Sequence, residues 1–183
     1  MKEEMLRVLD ESGSFVGRYE EKKRVHAQGL WHNEAALYIV DSAKNLIMLQ
    51  RRSPNKASHP NRLGLTAGHV DGDESIEHAL FREAREEIDL DLTKFMVKFL
   101  KVVKLSNPNN NHFSHRFILD SGDIVLKNLK LQKSEVTEVL WLDYDEWKER
   151  IINGDQEIIS PGSPVINKET FDLIDAYMPN RKK

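Results

Sequence analysis

The clearest hydrophobic signal along the chain is a pair of apolar runs, residues 35–41 and 46–52, separated by the polar breakers of 42–45. Runs this short and this apolar, joined by a tight polar turn, predict two neighbouring strands buried in a central sheet. Before them, residues 5–10 and 15–19 read as two short strands about the turn 11–14. Residues 20–26 are highly charged, a helix or an exposed connection leading into 27–32. Pro54 and Pro60 mark 53–63 as loop, and 63–67 is a short strand ending at Gly68. Residues 94–105, apolar and β-branched, predict a further strand, as do 112–120 and 138–143. The tract 107–111 and the break 121–123 are turns. Residues 144–153 read as a helix ending before Gly154, 161–164 as loop, and 169–178 as a last amphipathic helix. No internal repeat or long linker divides the chain. Strands alternating with helices predict one α/β domain over 1–183, with helices on both faces of a mixed sheet.

Between Gly68 and Leu90 the pattern changes from glycine-bearing loop to helix, with Asp73 available as N-cap and Glu74 and Glu77 in the first turn, where the helix dipole favours carboxylates. Further along, Glu83, Glu86 and Glu87 are spaced so that all three project from one helix face. Carboxylates packed this closely repel, so a cation sits among them or one of them holds a proton. All-oxygen donors suit hard divalent ions such as Mg2+ or Mn2+. A solvated acidic face neutralised by Arg82 and Arg85 fits the same spacing, which leaves both readings open.

Composition narrows the classes. A chain of 183 residues can bury a sizeable core, and a net charge of -3 supplies no basic footprint for nucleic acid. Zero cysteines exclude disulfides, thiolate metal sites and cysteine nucleophiles, and suit a reducing cytoplasm. The charged start and the lack of any apolar run of membrane-spanning length lead to the expectation of a soluble cytoplasmic protein acting on a small molecule, with a homodimer left open.

Gly68, Glu74 and the run Arg82-Glu83-Ala84-Arg85-Glu86-Glu87-Ile88-Asp89-Leu90 resemble the Nudix box, G-x5-E-x7-R-E-U-x-E-E-x-G-U with U apolar. Every fixed position matches except the last glycine, which is Asp89; that glycine ends the helix in a left-handed turn, a conformation that Asp tolerates better than most residues. The resemblance covers about 35–153 and implies an α/β/α sandwich whose box helix binds Mg2+ or Mn2+ and directs water onto phosphorus of a substituted diphosphate. Carried over, Glu83, Glu86 and Glu87 would be metal ligands together with the Ala67 carbonyl, and Glu83 also the candidate base. Arg82 would orient the glutamates, and Glu74 would pair structurally with the helix. Glu135 or Glu138 would supply a late carboxylate. Arg51 and Arg52 either grip phosphate or form edge salt bridges. Asp71, Asp73, His59, His78 and His115 read as solvated or capping residues.

A narrower likeness, to isopentenyl-diphosphate isomerase, rests on residues 17–20, His26, 50–52, Lys56, Pro60 and 66–69. The isomerase moves a double bond with an acid and a base, and its cysteine directly precedes a Gly-His; here that position is Ala67, whose methyl group cannot transfer a proton. One of its metal-binding histidines falls on Asn33, and its two later carboxylates fall in 109–112, where there are none. His26 and His69 match metal-site positions. A hydrolase of the isomerase-like branch is therefore expected, with isomerase activity or a non-catalytic diphosphate-binding module as alternatives. The substrate group would be chosen by loops 53–63 and 106–115 and by the N-terminal extension; a nucleoside diphosphate derivative is the family-level expectation.

Overall fold

The computed structural model describes residues 3–107, 109–122 and 128–178. Pro108 and Asp123, read above as turn residues, lie outside the described residues. The chain opens with an antiparallel hairpin, β1 (Met5–Leu9) and β2 (Phe15–Glu21), followed by the short helix α1 (Lys22–Ala27). Leu6, Val8 and Val25 are buried there with Leu30 packed against them, a satellite core beside the main sheet.

The main sheet is organised on β3 (His32–Asp41). Its neighbours are β4 (Leu46–Arg52), the short β5 (Leu63–Gly64) and β6 (Thr66–His69), then β7 (Lys98–Leu105), β8 (His112–Asp120) and β9 (Val136–Asp143). The strand order is β5-β4-β3-β8-β7, with β6 extending the pairing along β3 and β9 covering β4. β3 and β8 run parallel from His32↔His112 to Val40↔Asp120, while the other pairings in this sheet are antiparallel. The sheet is therefore mixed, as expected.

Alternation along β3 builds both cores. Ala35, Leu37 and Ile39 face α2 (Ile76–Ile88), meeting Ala79, Leu80, Ala84 and Ile88. Tyr38 and Val40 face α3 (Tyr144–Ile152) and α4 (Pro164–Tyr177), meeting Trp147, Ile151, Phe171 and Ile174. A strand covered on both faces must read as a continuous apolar run, which is why 35–40 shows no polar alternation. Trp147, edge-on to Tyr38 and Phe171, is the largest fully buried side chain among the described residues; truncation to Ala would cost about 3–5 kcal/mol.

Strands β3, β7 and β9 begin at His32, Lys98 and Val136 rather than at 35, 94 and 138, and two helix starts also differ from the sequence expectation. The N-cap of α2 is Ser75, whose hydroxyl accepts from the His78 N–H; Asp73 is drawn instead to Arg7 and Tyr19 on the hairpin. Glu74 consequently precedes the helix rather than lying in its first turn. α4 begins at Pro164, five residues before the expected start, because Ser163 caps it and Pro at the first position has its ring pre-set for the helix and its missing N–H costs nothing there. The far end of α2 behaves as read: Asp89 is left-handed (φ 55°, ψ 34°), and the Leu90 N–H returns to the Ala84 carbonyl.

Asp89→Gly should relieve the strain of a side chain in that conformation, raising unfolding free energy by about 0.5–1 kcal/mol, offset in part by the lost contact to Arg85. Urea denaturation checks this; a loss of stability would mean the Arg85 contact outweighs the strain.

Candidate active site

β6, the loop before α2 and the second half of α2 meet around one arginine. Arg82 donates to both carboxylate oxygens of Glu74 (Nη2 2.7 Å, Nε 3.2 Å), to Glu83 (2.7 Å) and to the His69 carbonyl (3.0 Å), and reaches Glu86 at 3.4 Å. Burial works against its charge, but the two close carboxylates outweigh that and hold its pKa well above the usual value. A planar fork with five N–H groups is what so many simultaneous contacts require, and Lys could not supply them. Glu74 is itself fixed, accepting from the Asp71 N–H at 2.7 Å and meeting His78 at 2.9 Å. Arg82 thus ties the loop carboxylate of Glu74 to the helix carboxylate of Glu83.

Glu83 lies directly against Gly68. A Cβ built on Gly68 would stand 2.0 Å from Glu83 Cδ, so the glycine is required by close approach. Glu87 is buried, and its carboxylate accepts from the Gln50 amide at 2.6 Å; the Gln50 carbonyl in turn accepts from the Thr66 hydroxyl at 3.1 Å, which fixes the amide orientation. Burial pushes the Glu87 pKa up to about 7, with the Gln50 hydrogen bond opposing and the nearby Glu83 and Glu135 adding to the rise. Burial also raises Glu83, against the pull of Arg82. Glu86 is the exposed member of the set. The three carboxyl groups are each held differently, by Arg82, by solvent and by Gln50, but all sit at the same end of α2.

The neighbouring candidates divide by face. Arg52 and Lys56 lie on the Glu87 side: Arg52 is close enough to lower the Glu87 pKa, and Lys56 pairs with Glu135. Arg51 points across the sheet, donating to Glu138 (2.8 Å) and Glu157 (3.1 Å), the edge salt bridge left open above. Strand alternation separates adjacent Arg51 and Arg52 in this way. Ala67 pairs with Ala36 in the β3–β6 ladder, beside Gly68. Gln50 and Thr66 are the residues whose role sequence reading missed; both lie within the segments of the isomerase likeness, but nothing in their spacing shows that they form a relay to Glu87.

A second cluster stands on the other side of β6. Among the described residues, His26, His32 and His69 are the set of three side chains whose donor atoms all lie within 4.8 Å of one another. His32, not Asn33, fills the third position, and Asn33 instead meets His115 at 3.1 Å. Register along β3 decides this, since moving by one residue turns the side chain to the opposite face. Burial lowers the pKa of all three imidazoles, that of His32 to about 4, so the neutral rings have lone pairs to offer.

The family model described as the NUDIX domain matches residues 30–160, and the chain belongs to the Nudix family. It is 31% identical to Nudix hydrolase 3 of Arabidopsis thaliana over 81% of its own length but spans only 20% of that protein. It is 30% identical to a prenyl-diphosphate phosphatase of Methanosarcina mazei, over 63% of this chain and 65% of the relative. It is also 25% identical to isopentenyl-diphosphate Delta-isomerase 1 of Photorhabdus laumondii subsp. laumondii, over 93% and 94%. Among the described residues no helix is long and apolar enough to cross a membrane.

Two outcomes follow. If Glu83 takes part in the reaction, Gly68→Ala should displace it and lower turnover about 100-fold, the cost of a misplacement of roughly 1 Å, while the circular-dichroism spectrum stays unchanged; full activity would show that Glu83 need not be where Gly68 allows it. In metal-free protein, Glu87 holds its proton in the folded state up to about pH 7 but loses it near 4.5 when unfolded. Stability should therefore fall by roughly 2–3 kcal/mol as pH rises between those values, and Glu87→Gln should flatten that slope in denaturation at several pH values.

Proposed function

We propose that the chain is a divalent-metal-dependent hydrolase that cleaves a diphosphate linkage in a small molecule. The observation that carries this reading is the glutamate set of α2, assembled against Gly68 by Arg82. Glu83, Glu86 and Glu87 offer only oxygen donors, and the carboxyl groups of Glu83 and Glu87, whose charged forms burial penalises, fit a hard cation, Mg2+ or Mn2+, with the Ala67 carbonyl as a further ligand. Such an ion neutralises diphosphate oxygens and lowers the pKa of water. Glu83, steadied by Arg82, is placed to take the proton as water oxygen bonds to phosphorus and the phosphorus–oxygen bond to the leaving group breaks. Gln50 holds Glu87 in one orientation. Arg52 and Lys56 supply positive charge beside the site, with Glu135 restraining Lys56 until substrate competes for it.

The whole chain 1–183 acts in this reading as one domain, with the N-terminal hairpin and α4 as additions to the core, and its lack of cysteine suits the cytoplasm. A nucleoside diphosphate derivative is the first substrate class to test. An isoprenoid diphosphate is the second, favoured by the similarity to the prenyl-diphosphate phosphatase. Isomerisation is disfavoured because Ala67 stands where the isomerase needs a proton-transferring side chain.

The test is phosphate or phosphomonoester release with Mg2+ or Mn2+ across nucleoside diphosphates, nucleotide sugars, dinucleotides, coenzyme A and prenyl diphosphates. Glu86→Gln, which removes charge at nearly constant shape from an exposed position, should lose at least about 100-fold of the turnover with its fold intact. Turnover equal to that of the unsubstituted chain would sink the assignment, and mass-neutral conversion of isopentenyl diphosphate would establish the isomerase instead.

A further inference from the structure

Each carboxyl group at the end of α2 has one oxygen already claimed by a donor of the protein. Glu83 Oε1 accepts from Arg82 Nη1 at 2.7 Å, Glu87 Oε2 accepts from the Gln50 amide at 2.6 Å, and Glu86 Oε2, the exposed one, is reached by the same Arg82 nitrogen at 3.4 Å. Among the described residues, Glu83 Oε2, Glu86 Oε1 and Glu87 Oε1 have no hydrogen-bond partner. The set therefore offers a cation three single oxygens rather than three chelating pairs.

The donor on Glu87 is the most firmly built. Gln50 is 2% exposed, Thr66 3% and Glu87 5%, so all three side chains are shut away from water that could substitute for a lost contact. Gln50 lies on β4 opposite Gly64 of β5, and Thr66 on β6 opposite Leu37 of β3, so two strand pairings fix their spacing. The Thr66 hydroxyl donates to the Gln50 carbonyl at 3.1 Å, which turns the nitrogen end of the amide toward Glu87. Rotated the other way, the amide would set its carbonyl against a carboxylate, two acceptors with no proton between them. An apolar neighbour would leave both oxygens of Glu87 open to one ion; the amide removes one of them.

We propose that Gln50, held by Thr66, makes the glutamate set selective for small six-coordinate ions over Ca2+ by denying a two-oxygen grip to Glu87, an inference that rests on the metal-dependent reading of that set. Ca2+ takes roughly six to eight oxygens at about 2.3–2.6 Å and readily chelates a carboxylate through both of its oxygens. Mg2+ holds near-octahedral geometry at about 2.0–2.1 Å, takes carboxylate oxygens singly and keeps water or phosphate in its other positions. Mn2+ accepts the same oxygen-rich octahedron. A carboxylate with one oxygen tied therefore loses nothing toward the smaller ions and one ligand toward the larger. Glu83 is tied in the same sense by Arg82, but that guanidinium also holds Glu74 and the His69 carbonyl. Gln50 is thus the selectivity-determining residue that can be changed without releasing the loop, and Thr66 is its positioning residue.

The experiment follows Mn2+ binding to chelator-stripped full-length protein by the loss of the free-ion electron paramagnetic resonance signal, then displaces the ion with Ca2+ and with Mg2+. Only the Mn2+ that Glu86→Gln fails to hold is counted, which restricts the readout to the glutamate set. Mg2+ should be the better competitor in the unsubstituted chain. Gln50→Leu should shift the ratio of the two competition constants about 10-fold toward Ca2+, the scale of an outer-shell contact. Thr66→Val should shift it the same way by less, and Thr66→Ser, which keeps the hydroxyl, should leave it in place. A general loss of packing weakens both ions together and does not move the ratio. With Mn2+ bound and released by Glu86→Gln, a ratio unmoved in both Gln50→Leu and Thr66→Val, or moved equally by Thr66→Ser and Thr66→Val, would overturn this proposal alone. No Mn2+ held by the glutamate set would overturn the metal-dependent reading and the selectivity with it.

Discussion

The contacts of Arg82 are what the site depends on. One guanidinium joins the loop carboxylate of Glu74, the helix carboxylate of Glu83 and the carbonyl of His69 on β6. These three come from different parts of the chain, and only a half-buried cation satisfies all of them without leaving an acceptor unpaired. Charge-assisted contacts to carboxylates are also stronger than neutral ones, so the loop carrying Gly68 to Glu74 is held by the same group that positions Glu83. Removing the guanidinium would leave at least two partly buried carboxylates in repulsion, a cost paid in geometry as well as stability.

Around that hub the fold gives each cluster its own side of β6. Thr66 faces Gln50 and the buried Glu87, Gly68 leaves room for Glu83, and His69 joins the histidines of α1 and β3. The short strand is therefore shared between two polar clusters of opposite character, one acidic with raised carboxylate pKa values, one neutral with lowered imidazole values. Burial drives both shifts in the direction of the uncharged form, and in both cases a bound cation would reverse the penalty.

The sequence made most of the fold legible because its signals were local. The apolar run 35–40, the polar turn 42–45, the glutamate spacing and even the left-handed Asp89 each follow from neighbours within a few residues. What it hid was set by pairing across the chain. Asn33 looked like the third metal-site position until the register of β3 turned His32 toward His26 and His69. Asp73 had the composition of a cap, but the hairpin of β1 and β2, remote in sequence, claimed it. Arg51 and Arg52 are indistinguishable as letters; only alternation and the position of Glu157 separate them.

The parallel pairing of β3 with β8 also constrains how the molecule is made. Partners such as Glu34 and Ser114 are 80 residues apart, so the central strand lacks its longest neighbour until nearly two thirds of the chain exists. Contacts this distant close large loops before they return any energy, which slows folding and leaves an apolar strand uncovered meanwhile. The hairpin of β1 and β2 and the turn between β3 and β4 can form early from local contacts. During synthesis the chain would therefore have a finished N-terminal hairpin waiting on an unfinished centre.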